Sequence, residues 1–419
     1  MSAEKPARLL PRLRFPEFRD ALGWPRCLMG RYLSESRIRG SGGHEAKKIT
    51  VKLWGKGVIE KHESMQGSVN TQYYRRRAGQ FIYSKLDFLN QAFGIVPEYL
   101  DGFESTADLP CFDIVPELDA KFLLEYVLRE QFYKTHGEIA DGSRKAKRIQ
   151  VETFLECPIY VPSKPEQQKI ADCLGSLDDL IAAESRKLEA LRQHKQGLMQ
   201  QLFPQEGETV PRLRFPEFCN AGEWETRGLE KLVSIQSGST PSKANPAFWD
   251  GSIPWASAKD MKRLLLDDTE DHISIAAVDD GTKLVPAGTL LILTRGMTLL
   301  KDVPICVSLR EMSFNQDVKA LRPKTDVNSL FLAFALLGSK QRLLKMVDIS
   351  GHGTGKLNTD ELEAFELAFP RPAEQHRIAV CLSSLDEMLA TQSRKVEGLA
   401  AHKRGLLQQL FPSLGEDEA

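Results

Sequence analysis

The chain has 419 residues, 42% of them apolar and 27% charged, with a net charge of −1, the make-up of a soluble protein of two to four domains. No apolar run approaches the ~20 residues of a membrane helix; Leu330–Gly338 (LFLAFALLG) is far too short, and the first residues carry no signal-peptide core, so a cytoplasmic chain without a membrane partner is expected. Seven scattered cysteines with no CxxC pair predict free thiols and no zinc site.

In chain order, residues 1–22 form a connector built on PRLRFPEF (11–18), whose two prolines predict an extended path before Trp24. A first domain spans 23–163. Its ITVKLWGKGVIE (49–60) alternates and breaks at glycines, as a hairpin does. Strands are expected over 79–88 and 108–115, a helix over 120–137 and a closing strand over 154–162. A helix then covers 164–204.

The pattern returns. A connector (205–222) repeats PRLRFPEF at 211–218, before Trp224. A second domain (223–370) predicts strands over 283–296, a helix over 326–347 starting at Asn328-Ser329, and a closing strand over 362–370. A second helix (371–412) precedes an acidic tail (413–419). Residues 173–204 and 381–412 match at 20 of 32 positions with a constant offset of 208. The domains between them share few residues. The fold class expected is α/β (α+β): two domains, each followed by a long helix.

Apolar residues in both helices recur at alternating steps of three and four, the seam of a coiled coil. The first seam is Leu174, Leu177, Ile181, Glu184, Leu188, Leu191, Lys195, Leu198 and Leu202; the second is Leu382, Leu385, Leu389, Gln392, Val396, Leu399, Lys403, Leu406 and Leu410. Parallel pairing would oppose Lys195 to Lys403. An antiparallel pairing with pseudo-two-fold symmetry, setting Glu184 against Lys403, Lys195 against Gln392 and Leu188 against Leu399, removes that clash. At ~1.5 Å per residue each helix reaches roughly 55 Å.

Catalytic patterns are missing from the sequence: no GxxxxGK[ST] loop, no GxSxG elbow, no HExxH pair and no histidines at metal-ligand spacing. Glycine-rich SGHGTGK (350–356) lacks phosphate-loop spacing and reads as a loop or anion nest. The positive signal is local basic clusters, mostly in predicted loops. In the first domain these are Lys47-Lys48, Tyr74-Arg75-Arg76-Arg77 and Arg144-Lys145; in the second, Lys259, Lys262, Arg263, Arg295, Lys301 and Lys356, with Asn315 and Gln316. Guanidinium and ammonium groups bind phosphates, and Arg, Asn and Gln can pair with base edges.

The repeats and several domain segments together resemble the DNA-specificity subunit of type I restriction-modification systems. The carriers are PEQQKIADCLGSLDDLI and AEQHRIAVCLSSLDEML, KQGLMQQLFP and KRGLLQQLFP, ITVKLWGKGVIE, GQFIYSKLDFLNQAFGIVP, GSTPSKANPAFWDGSIPWASAKDMK, KLVPAGTLLILTRGMTL and SFNQDVKAL. The resemblance implies a non-catalytic subunit whose two target-recognition domains read the halves of a split, asymmetric site in double-stranded DNA. The helices would set the spacing and dock two methyltransferase subunits, with restriction subunits joining the assembly. No cofactor would bind this chain; S-adenosylmethionine would belong to the methyltransferase, and ATP with Mg²⁺ to the restriction subunit. Two other readings stay open at this stage: a stand-alone methyltransferase or nuclease with an unrecognised active site, and an adaptor whose duplicated domains bind proteins.

Overall fold

The computed structural model describes residues 8–42, 44–62, 71–138, 148–349 and 353–413. They fall into two compact units. Unit 1 holds the described residues up to Ser185 and from Lys395 onward, and unit 2 holds Arg186–Arg394. The long helices are Lys164–Leu202 and Pro372–Leu410, so each unit takes the first part of one helix and the last part of the other.

Unit 1 is built on a four-stranded antiparallel sheet in the order Leu33–Ser36, Cys111–Ile114, Phe81–Tyr83, Phe93–Ile95. Successive side chains on a strand point to opposite faces. Phe81, Tyr83, Phe93 and Phe112 therefore share one face, where they join Phe88, Phe122, Phe132 and Phe154 in an aromatic core that also buries Leu174 and Leu410 of the long helices. Ile82 and Cys111 point the other way and are covered by the hairpin Ile49–Val51/Val58–Glu60.

The helix expected over 120–137 is two helices, Ala120–Val127 and Glu130–Glu138. Asp119 caps the first by accepting from the backbone N–H groups of Lys121 and Phe122. The break falls at Arg129, which turns inward: its guanidinium donates to the Tyr126 and Pro412 carbonyls and lies over the Tyr126 and Phe411 rings. The closing segment is likewise divided, helix Val151–Glu156 and then strand Pro158–Tyr160, which pairs with Trp24–Leu28.

Unit 2 has a five-stranded sheet in the order Val233–Ser237, Val318–Pro323, Leu290–Leu293, Ile305–Ser308, Leu265–Leu266, the last pair parallel. Ser329–Gly338 buries Phe331 to Leu336 against its core, and the Asn328 side chain caps it as the sequence predicts. Here too the expected single helix stops, at Ser339, and resumes as Lys340–Lys345. The closing stretch is helix Thr359–Glu363 and strand Glu366–Phe369. No helix among the described residues is long and apolar enough to cross a membrane.

The same junction is built in both units. Arg14 forms a bidentate pair with Glu166 at 2.7 Å, and the buried Trp24 indole donates to that carboxylate. Arg214, Glu374 and Trp224 repeat it. Gln167 and Gln375 each accept from the N–H of a helix-capping residue, Asp119 or Asn328, and donate to two carbonyls. These buried side chains clamp connector, domain and helix start together. The connector is not simply extended: each copy makes a 3-10 turn, Pro16–Phe18 or Pro216–Phe218.

Seam positions on both helices are buried or half-buried, while many of the residues between them are exposed. The expected pairing of polar positions is corrected. In unit 1, Lys403 pairs with Asp178 at 2.7 Å and with Glu125 at 2.9 Å, and Lys395 pairs with Glu184. In unit 2, Lys195 pairs with Asp386. These partners lie six residues (Glu184 to Asp178), six (Gln392 to Asp386) and eight (Lys403 to Lys395) from those expected. Both seam lysines thereby have a carboxylate partner, whereas the expected arrangement gave one to Lys403 alone.

Candidate nucleic-acid interface

In unit 1 the basic residues gather on a small sheet in which Gln72–Arg75 lies between Arg39–Gly42 and Glu104–Ser105. The sheet is irregular between Arg39 and Gly42. There Gly40 passes so close to the Glu104 carboxylate that a Cβ would fall 2.5 Å from it. Glu104 in turn accepts from the Ser41 N–H and hydroxyl, which fixes the bend.

The three consecutive arginines have different fates. Arg76 is 1% exposed. Its guanidinium donates to the Ser105 hydroxyl and to the carbonyls of Ser36, Thr106 and Leu109. Burial pulls its pKa below the ordinary arginine value. It is an internal brace, and the expectation that it contacts phosphate is withdrawn. Arg75 and Arg77 are exposed, and among the described residues no hydrogen bond or ion pair holds either side chain. Tyr74 is half-buried beside the Arg76 guanidinium.

Lys48 is also turned inward, over the Tyr73 ring, whereas Lys47 is exposed with its ammonium 5.9 Å from the Phe103 ring centre. Arg39, exposed and directly across from Tyr74, adds a cation that sequence reasoning missed. Its signal was the alternation of Arg37 and Arg39 before a glycine. Arg144 and Lys145 lie outside the described residues.

In unit 2 the structure brings together two residues far apart in sequence. Arg295 and Lys356 are direct cross-strand partners, both exposed, and among the described residues no hydrogen bond or ion pair holds either side chain. Like charges placed opposite each other on a sheet repel; a phosphate between them removes the penalty. The approach depends on Gly355, where a Cβ would meet Leu299 Cβ at 2.7 Å. Lys301 is exposed just after the short turn Met297–Leu300 that packs over this glycine. Residues 350–352 of the glycine-rich loop lie outside the described residues.

The other unit 2 candidates are less suited to an anion. Lys259 is held by Glu270 at 3.2 Å and Asp271 at 2.9 Å. Lys262 and Arg263 are exposed, but they line a cleft with Asp260, Asp267, Asp268 and Glu270. Asn315 is buried, and its side-chain oxygen accepts from the Asp317 N–H, so it shapes a turn and does not reach out to a base. Gln316 is exposed and hydrogen-bonds the Thr240 hydroxyl.

Known proteins share this architecture. The family model described as the type I restriction modification DNA specificity domain matches residues 113–193 and 221–399. The EcoR124I/EcoR124II specificity subunit of Escherichia coli is 30% identical over 282 residues, covering 64% of this chain and 65% of that subunit. The MjaIX specificity subunit of Methanocaldococcus jannaschii is 27% identical over 180 residues, covering 42% and 40%. The chain thus spans less than two thirds of the length of either relative. The crystal structure of a type I restriction-modification S subunit from M. genitalium superimposes with a TM-score of 0.60 at 14% identity, over 97% of this chain and all of that one, a likeness of fold.

Proposed function

Because the chain belongs to the family of type I restriction-modification DNA specificity domains, we propose that it is the DNA-reading subunit of such a complex. Each unit reads one half of a split, asymmetric duplex target. The long helices set the distance between the halves, about one helical turn or roughly 34 Å of B-DNA, and dock two methyltransferase subunits. Restriction subunits complete the assembly. S-adenosylmethionine, ATP and Mg²⁺ act on those partners, and this chain supplies recognition without catalysis in the cell interior.

One observation carries the reading. The junctions that fix connector, domain and helix are the same in both units, but the exposed cations they present differ. Arg75 and Arg77 flank a buried arginine in unit 1, and Arg295 faces Lys356 across two strands in unit 2. A duplicated frame with two dissimilar cationic surfaces suits a target whose halves differ in sequence.

Co-expression with the methyltransferase encoded beside it, followed by mapping of methylated adenines in genomic DNA, tests the proposal. A bipartite motif with a fixed unspecified gap is expected, and exchanging residues 223–370 for those of another member should change one half only. Methylation at unrelated sites, or none despite a stable complex, would sink it.

A further inference from the structure

The hairpin covering the second face of the unit 1 sheet ends in Lys52-Leu53-Trp54-Gly55-Lys56. Of the five tryptophans, Trp24, Trp224 and Trp255 are buried and Trp249 is half-buried, whereas Trp54 is 57% exposed. Its backbone is unusual as well. Trp54 has φ +61°, a left-handed conformation that a bulky side chain rarely adopts.

The strain is held from outside the turn. The Trp54 N–H donates to the Asn90 carbonyl at 2.8 Å, and the Gly55 N–H donates to that of Gln91 at 2.9 Å. Gln91, at φ +53°, is the other non-glycine residue with positive φ among those described. Gly55 has φ +65°, and a Cβ there would fall 2.8 Å from Leu128 Cδ2. The turns that carry the two strained residues are thus tied together by two backbone hydrogen bonds. A strained conformation persists only where its surroundings over-determine it. What this one achieves is to hold an indole out in water.

The surroundings of the indole indicate a partner. Lys52 and Lys56, two residues to either side, are exposed, and among the described residues no ion pair or hydrogen bond holds their side chains. Tyr99, 68% exposed, donates its hydroxyl to the Val58 carbonyl of the same hairpin, adding a second accessible ring. The hairpin lies on the sheet face carrying Ile82 and Cys111, away from the aromatic face that holds Leu174 and Leu410 of the long helices. An aromatic ring between two free ammonium groups complements nucleic acid: the cations meet phosphates and the ring meets a base.

We propose that Trp54 is a DNA-inserting residue, whose indole packs against a base opened at a kinked or unstacked step while Lys52 and Lys56 hold the flanking phosphates. This inference rests on the DNA-reading role proposed above. Apolar and aromatic wedges bracketed by cations deform duplexes in this way. The contact adds affinity and selects steps that are easily unstacked, without hydrogen bonds to base edges.

The test uses the full chain co-purified with its methyltransferase and a 30-bp duplex carrying the mapped target, with 2-aminopurine at successive positions. Trp54→Ala is expected to weaken binding roughly tenfold or more, in line with the loss of one stacked base, at unchanged salt dependence. Lys52→Gln with Lys56→Gln should lower the salt slope by about 2. Duplex should quench tryptophan emission in the parent and not in Trp54→Phe, and 2-aminopurine emission should rise at one step. If the parent binds the duplex but Trp54→Ala binds equally well, and acrylamide reaches Trp54 as freely with DNA as without, the wedge is overturned and the DNA-reading role stands. If Trp54→Ala weakens assembly with the methyltransferase and leaves DNA affinity unchanged, the residue is a protein contact and the wedge is again overturned. A parent complex with no salt-dependent duplex binding overturns both proposals.

Discussion

Lys403 donates to Glu125 at 2.9 Å in unit 1, and the equivalent contact in unit 2 has no carboxylate. Glu125 stands six residues after the helix cap Asp119, and Phe334 stands six after the cap Asn328. Lys195 accordingly lies over the Phe334 ring, 5.2 Å from its centre, with Asp386 as its ion partner. Unit 1 therefore places two carboxylates, Glu125 and Asp178, around one ammonium, and the second Glu125 oxygen has no hydrogen-bond partner.

Removing the ammonium exposes that imbalance. Lys403→Ala should cost roughly 2–4 kcal/mol, because a buried carboxylate loses its counter-charge. Glu125→Leu, which copies the apolar solution of unit 2, should change stability by less than about 1 kcal/mol. Denaturant unfolding of the two variants and the parent checks the contrast.

The same group sets a pH dependence. Burial, reinforced by Asp178 and opposed by Lys403, raises the Glu125 pKa above its ordinary 4.5. The folded state then holds this proton more tightly than the unfolded state. Stability contributed by Glu125 is complete below pH 4.5 and is lost as pH rises through the folded-state value. Glu125→Gln should flatten that decline in thermal melts taken across the acidic range. An equal decline in both proteins would place its origin elsewhere.

Charge reversal distinguishes the two pairings of the helices. Lys403→Glu should weaken the fold, and Asp178→Lys should partly restore it because these two residues meet at 2.7 Å. Glu184→Lys should give no rescue, since Glu184 pairs with Lys395. Melting temperatures of the single and double variants decide this.

The arginine run should split by function. Arg76→Ala removes the partner of three carbonyls and a hydroxyl and should cost roughly 2–4 kcal/mol through unsatisfied buried groups. Arg75→Ala with Arg77→Ala should leave the melting temperature in place and lower the salt slope of duplex binding by about 2. Filter binding at several salt concentrations, alongside thermal melts, measures both.

In unit 2, Lys356→Glu turns the repulsion across from Arg295 into attraction. It should stabilise the protein by about 0.5 kcal/mol while weakening duplex binding. Gain of stability together with loss of affinity marks a site strained for its ligand; loss of both would point to damage in the sheet.

How much the sequence discloses depends on the range of the interaction. The repeats, the long helices and the Asn328 cap were legible because local periodicity and capping chemistry determine them. The helix breaks at Arg129 and Ser339 were not, since the inward turn of Arg129 depends on Tyr126, Phe411 and Pro412 meeting it. Arg76 looks the same as its neighbours in a basic run; only the carbonyls of Ser36, Thr106 and Leu109 distinguish it. The partners of the seam lysines were missed because a seven-residue apolar pattern does not say which carboxylate outside the seam meets each of them; Asp178 and Asp386 do. Trp54 reads as part of an ordinary hairpin turn until its latch to Asn90 and Gln91 is seen.

The connectors have one more consequence. In unit 2 the Leu213 N–H donates to the Gln201 carbonyl at 2.9 Å, and residues 205–210 of the connector carry the chain from the helix to the repeated PRLRFPEF. In unit 1 the Leu13 N–H makes the same bond, at 2.9 Å, to the Gln409 carbonyl near the far end of the sequence. Where the polypeptide is cut is therefore separable from how it folds. A circular permutant that joins Pro412 to Pro11 through a copy of Gln205–Val210 and opens the original Gln205–Val210 segment keeps every clamp described above. Its order of synthesis would be reversed, and it should specify the same DNA.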